Sequence, residues 1–136
     1  MNWYPVLDGF HAHLQASVGS VPVSLGGDAK IPNASGVIIL RGPSVYGDPR
    51  RSEESTTQVW VECWEYSENS DFSVGYSALA ALEEKVVDAI RSFAMDGQSI
   101  SGYRARAKLE GVEGDGDVFR PSIGSRLSVT IHMKPA

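Results

Sequence analysis

The sequence predicts an α+β fold, a mixed or mainly antiparallel sheet with two helices packed on one face, and three observations carry that prediction. Apolar residues recur at helical spacing in two stretches: Val6, Phe10, Leu14 and Val18, and then Leu79, Leu82, Val86, Ile90 and Phe93. Apolar and polar residues alternate, as in half-buried strands, in "TTQVWVECWEYS", "YRARAKLE" and "RLSVTIHMK". The order helix, strand, strand, helix, strand, strand has hairpin-like links at both ends, which suits antiparallel pairing. At 136 residues, with no internal repeat or linker, one α+β domain over 1–136 is expected.

Taken in order, Pro5 suits a first helical turn and Gly19 a helix stop. In the turn-rich stretch that follows, only "VPVSL" reads as a short edge strand, because Pro22 cannot donate to an inner ladder. "GVIILRG" reads as a strand buried on both faces. The segment from Gly42 to Ser55 carries Pro43, Pro49, Arg50, Arg51, Glu53 and Glu54 with few apolar residues, an exposed loop. After the long strand, Ser77 is a candidate N-cap for the second helix and Gly97 its stop. "GVEGDGD" reads as an acidic hairpin loop, and Pro121 and Gly124 are expected to break any strand before Arg126. Both loops, Gly42 to Ser55 and Gly111 to Asp117, are expected to be poorly ordered in the free subunit, since little burial offsets the entropy of ordering them.

Composition excludes some functions. No run approaches the roughly 18 apolar residues of a membrane span, and "MNWYPVLDGF" has neither the basic residues nor the apolar core of a leader, so synthesis and residence in the cytoplasm are expected. A net charge of −5 argues against a general nucleic-acid coat. The lone Cys63 shares a strand face with Val59 and Val61 and reads as a packed thiol.

Chemistry-bearing patterns are sparse. His11 and His13 stand about 200° apart around a helix and cannot share a metal ion, and His132 is isolated on a strand. Glu113, Asp115 and Asp117 resemble the start of a calcium loop but lack its turn glycine and closing glutamate. No glycine run has the setting of a phosphate cradle, and no serine has the setting of a nucleophile. No cofactor is implied. Arg104, Arg106 and Lys108 form a basic stripe, either solvated and paired across strands with Glu62 and Glu65 or a binding surface. Trp60, Trp64 and Tyr66 lie opposite the Val59, Val61 and Cys63 face and need a second cover, either the N-terminal helix or a neighbouring subunit.

The N-terminal amphipathic helix, "SLGG" and "IP", "GVIIL", "TTQVWVECW" leading to "YSALAALEEKVVDAIRSF", and the closing "RPSIGSRLSVTIHM" together resemble the tail terminator, or tail completion, proteins of long-tailed bacteriophages and prophages. The resemblance spans nearly the whole chain and rests on element order without a diagnostic motif. It implies a structural subunit with no catalytic residues, assembled into a hexameric ring that caps the tail tube, ends its polymerisation and joins the head. The implied partners are other copies of the chain, the tail tube protein and the head–tail connector, with DNA passing through the ring without specific binding. The implied location is the virion tail, reached by assembly in the host cytoplasm. The isolated subunit is expected to be a monomer or a weakly associating ring. Candidate interface residues are Trp60, Trp64, Tyr66, Arg104, Arg106, Arg50 and Arg51. Two rival readings remain: another connector or neck component, and a small ligand-binding domain or enzyme with a pocket of Trp60, Trp64 and Tyr66.

Overall fold

The computed structural model describes residues 2–28, 30–47, 54–93 and 100–135. The elements run α1 (Tyr4–Val18), β1 (Val23–Leu25), β2 (Gly36–Val45), β3 (Ser55–Tyr66), α2 (Phe72–Ser92), β4 (Tyr103–Gly114) and β5 (Ser122–Pro135). The five strands form one sheet in the order β1-β2-β3-β5-β4. Only β1 and β2 pair in parallel, and the remaining neighbours are antiparallel. The fold is α+β with a mixed, mainly antiparallel sheet, as the element pattern predicts. No described helix is long and apolar enough to cross a membrane.

Both helices cover one face. Phe10, Leu14 and Val18 of α1 and Leu82, Val86 and Ile90 of α2 pack with Val37 and Ile39 of β2, Val59, Val61 and Cys63 of β3, and Leu127, Val129 and Ile131 of β5. Phe10 meets Phe93 edge to face at 5.1 Å between ring centroids, joining the two helices. Gly19 ends α1 at φ +68°, a conformation that costs glycine little and other residues more.

Polar side chains fasten this layer. Gln15 accepts from the Val23 amide (3.0 Å) and donates to the Val21 (2.8 Å) and Gly19 (3.1 Å) carbonyls. His11 Nε2 donates to the Val23 carbonyl at 2.7 Å, so α1 holds the three-residue β1 through side chains. His13 Nε2 lies 2.9 Å from both the Ala89 carbonyl and Ser92 Oγ, tying α1 to the end of α2. Each helical histidine is thus engaged in a different hydrogen-bonded link.

Several element boundaries differ from the sequence expectation. Helix α2 begins at Phe72 rather than after Ser77, because the Asp71 carboxylate caps it by accepting from the Ser73 amide (3.0 Å) and hydroxyl (2.7 Å). Those bonds hold the Asp71 carboxyl below its ordinary pKa. Gly97 lies outside the described residues. Strand β2 continues to Val45 through a register shift between Arg41 and Ser44, which absorbs Pro43. Its outer residues, Ile38 and Leu40, are only half-buried, since no helix lies over them.

The largest difference is at the second hairpin. Gly111 to Gly114 continue β4 past a register shift, and β5 begins at Ser122, with Gly124 paired to Trp64. The acidic segment is ordered by its own carboxylate: Asp115 accepts from the Asp117 amide (2.9 Å) and the Gly124 amide (3.0 Å). Asp115 therefore builds the turn instead of opening a calcium loop. In the first proposed loop, residues 48–53 fall outside the described residues.

Phe10 lies at the helix–helix contact with no exposed surface. Phe10→Ala is expected to lower unfolding free energy by about 3–5 kcal/mol, the range for truncating a buried phenylalanine. Denaturant unfolding followed by circular dichroism measures it.

Candidate functional site

Directly opposed residues of an antiparallel pair share a sheet face. The face away from the helices can therefore be traced across strands. Leu40 is registered to Trp60 and Trp60 to Ser128; Ile38 to Glu62, Glu62 to Arg126, and Arg126 to Glu113. Further along, Gln58, Thr130 and Lys108 form one row, and Thr56, His132 and Arg106 the next. Arg104 opposes Lys134 beyond them. Trp60, Trp64, Arg104 and Arg106 consequently lie on one face, with the tryptophans on central β3 and the arginines on edge strand β4.

Neither the N-terminal helix nor an outside layer is what covers Trp64. Its ring lies against Gly124, where an added Cβ would stand 2.7 Å from Trp64 Cε3, closer than non-bonded carbons approach. Phe119, from the link between β4 and β5, packs edge-on at 5.9 Å, and the indole Nε1 donates to Glu62 Oε1 at 3.3 Å. Trp64 is left 6% exposed within its own chain.

Trp60 uses the same device more openly. A Cβ on Gly42 would stand 3.0 Å from the Trp60 ring, so this indole too rests on a glycine of the neighbouring strand. Its other side is met by Arg126, whose guanidinium carbon lies 5.7 Å from the ring centroid. Arg126 Nε and Nη2 both donate to Glu62 Oε2, at 3.2 and 2.7 Å. Glu62 thus links Trp64 to Arg126, and Arg126 reaches Trp60. Trp60 stays half-buried.

Tyr66 stands at the end of β3, 38% exposed, with its hydroxyl donating to the Glu68 carboxylate, which raises the phenol's pKa. It does not converge with the tryptophans on a pocket. Arg104, Arg106 and Lys108 are exposed. The expected cross-strand pairing with Glu62 and Glu65 does not form, because β5 separates β4 from β3 and Arg126 takes Glu62 instead. Glu65 accepts from Ser35 Oγ. Arg50 and Arg51 lie outside the described residues.

Sequence patterning did not single out the group at the end of the molecule where the second hairpin turns. Val118 and Phe119 are 73% and 42% exposed, and Phe72 and Tyr76 from the start of α2 are also exposed. Arg120 joins them: its guanidinium carbon lies 4.0 Å from the Phe72 ring centroid and 5.1 Å from that of Tyr76, and Nη2 lies 3.6 Å from Asp117. The available signal was the pair "VF" set among turn formers, with no periodic apolar partner.

On the helix side, Cys63 is fully enclosed beneath α2. Burial pushes its thiol up to about 12, with the Glu83 carboxylate adding to the shift.

No family model and no curated protein matches the sequence. Solved structures do match in fold. A chain from the virion of a native gene transfer agent particle superposes over 96% of this chain and 92% of its own, with a TM-score of 0.60 at 13% identity. A chain of an extracellular contractile injection system, described as the PVC sheath/tube terminator in the extended state, matches over 96% of this chain and 56% of its own, with a TM-score of 0.55 at 10% identity. The fold resemblance to tail terminators read from the sequence is borne out by these phage-like neighbours.

Two expectations follow from the geometry. Trp64→Ala should lower folding stability by about 3–5 kcal/mol, as for other buried large aromatics, and Trp60→Ala by clearly less. Thermal and denaturant melts of both variants decide this, and a Trp64→Ala chain as stable as wild type would contradict the packing described. For Cys63, the folded thiol ionises near 12 and the unfolded one near 9.0, so rising pH favours the unfolded chain. The stability contribution is complete below pH 9.0 and declines as pH rises toward about 12. The wild type should therefore lose more stability than Cys63→Ala across that window in paired denaturant titrations.

Proposed function

We propose that this chain is a structural, non-enzymatic subunit of a ring that caps the tail tube of a phage-like particle. In that role it ends tube growth and forms the joint to the head connector. The supporting observation is the fold match over 96% of the chain to components of two such assemblies, one of them described as a sheath/tube terminator. The proposed partners are further copies of the chain, six to a ring, the tube protein and the connector. DNA passes through the ring without specific recognition, in keeping with a net charge of −5. The subunit is assembled in the host cytoplasm and resides in the virion tail.

An open sheet face and a terminal aromatic cluster suit this role, since exposed apolar groups rimmed by charge mark contact surfaces. Trp60, Tyr66, Arg104 and Arg106 are the proposed interface residues of the open face. Trp64 belongs to the same face but contributes through the shape it gives its neighbours. A small-molecule pocket of Trp60, Trp64 and Tyr66 is disfavoured, because Phe119 and Gly124 occupy the space beside Trp64 and Tyr66 turns to Glu68.

Deleting the coding sequence from the particle-producing genome should give tubes of uncontrolled length and heads without joined tails, seen by negative-stain electron microscopy. Supplying the wild-type chain in trans should restore tails of uniform length. Normal, head-joined tails in the deletion would refute the proposal.

A further inference from the structure

We propose that neighbouring copies of this chain join head to tail, the β4–β5 hairpin tip of one copy docking on the cationic open-face end of β4 and β5 in the next. This inference rests on the ring reading above and assigns its subunit contact.

Charge is segregated along the hairpin. Arg104, Arg106, Lys108 and Lys134 are exposed at its base, and none forms an ion pair among the described residues. Glu54 lies 4.0 Å from His132 in that region. Toward the tip the chain carries four carboxylates, Glu110, Glu113, Asp115 and Asp117, against Arg120 beside Asp117 and Arg126, which is paired with Glu62, so the tip is net acidic. The tip also carries Val118, largely exposed, and Phe119, 42% exposed, beside Phe72 and Tyr76. Apolar side chains with a charged rim are the composition of a docking surface, and the acidic rim calls for a cationic partner.

The base and tip cannot satisfy each other within one copy. At about 3.3 Å per residue, Arg104 and Glu113 stand roughly 30 Å apart along β4. β4 is held in register by β5 over its length. A charged complement to either end would therefore come from a second molecule, and the chain itself offers one. A contact between two different patches leaves each copy with one free tip and one free base, so it propagates into a closed ring or an open helix. DNA is the less suitable occupant of the basic end, because the chain as a whole is anionic and the same hairpin ends in carboxylates.

A charge-swap experiment tests this on the full chain. One variant carries Arg104→Glu and Arg106→Glu, which with Lys108 and Lys134 retained cancels the net positive charge of its hairpin base. The other carries Glu110→Arg and Glu113→Arg, which with Asp115 and Asp117 retained cancels the negative charge of its tip. Sedimentation at low ionic strength and capping of tail tubes are measured for each chain alone and for the equimolar mixture. All four positions are exposed, so each variant should keep the fold, with a modest loss of stability where Glu113→Arg sets like charges opposite Arg126. Each alone should associate at least about tenfold more weakly than wild type, since one side of every contact has lost its net charge. The mixture should regain part of the association, because every second joint then pairs an unaltered acidic tip with an unaltered cationic base. Should a reversed chain melt early, the neutral changes Arg106→Gln and Glu113→Gln provide the measurement, each weakening association and its salt dependence.

Rings that form equally well from either reversed chain would overturn this contact and leave the ring reading standing. A wild-type chain that neither forms rings nor caps tubes would overturn both. An Arg104→Glu, Arg106→Glu chain that loses retention of double-stranded DNA, with no rescue in the mixture, would mark the basic end as a nucleic-acid surface and overturn the proposal.

Discussion

Two helices can cover only one face of a five-stranded sheet, and much of this structure follows from that constraint. On the helix side, Val59, Val61 and Cys63 of β3 and Leu127, Val129 and Ile131 of β5 build an ordinary apolar core. On the other side the sheet must limit its own exposed apolar area. It does so by laying two indoles over glycines of adjacent strands, Trp64 on Gly124 and Trp60 on Gly42. A flat aromatic ring over a residue with no side chain gains burial without a second layer. Glu62 then gives both edges of this surface a polar partner, accepting from Trp64 with one oxygen and from Arg126 with the other.

The helix side has a complementary polar framework. β1 is only three residues long, too short to hold an edge by ladder bonds alone. Gln15 and His11 supply side-chain bonds to the carbonyls and amides around it. His13 performs the equivalent task between α1 and the last turn of α2. The open face is thereby carried on a layer fixed at both the helix–helix and helix–strand contacts.

Periodicity made the core legible. Val6, Phe10, Leu14 and Val18 are all buried, as are Leu127, Val129, Ile131 and Met133, because a repeating apolar spacing reports the face that packs. The second hairpin was illegible for a related reason. Gly111, Gly114, Pro121 and Gly124 read as breakers when taken singly, whereas β5 pairs with β3 on one side and β4 on the other and carries the glycine through. The need for glycine at 124 comes from Trp64, sixty residues earlier in the chain, and no local pattern contains that information. The same holds for Glu62, whose partner was expected on the Arg104 strand. Strand order set it opposite Arg126. Cover for Trp64 likewise came from a hairpin tip that alternation alone could not place.

The position of β5 has a consequence for how the molecule comes into being. It is the last strand in chain order, yet it lies between β3 and β4 and supplies part of the central core. Until residues 122–135 have left the ribosome, β4 has no strand to pair with and β3 lacks its longest partner. Folding of the sheet is therefore dominated by contacts between residues distant in sequence, a topology associated with slow closure. The half-made chain presents the inner edge of β3 and its apolar face to its surroundings or to a chaperone.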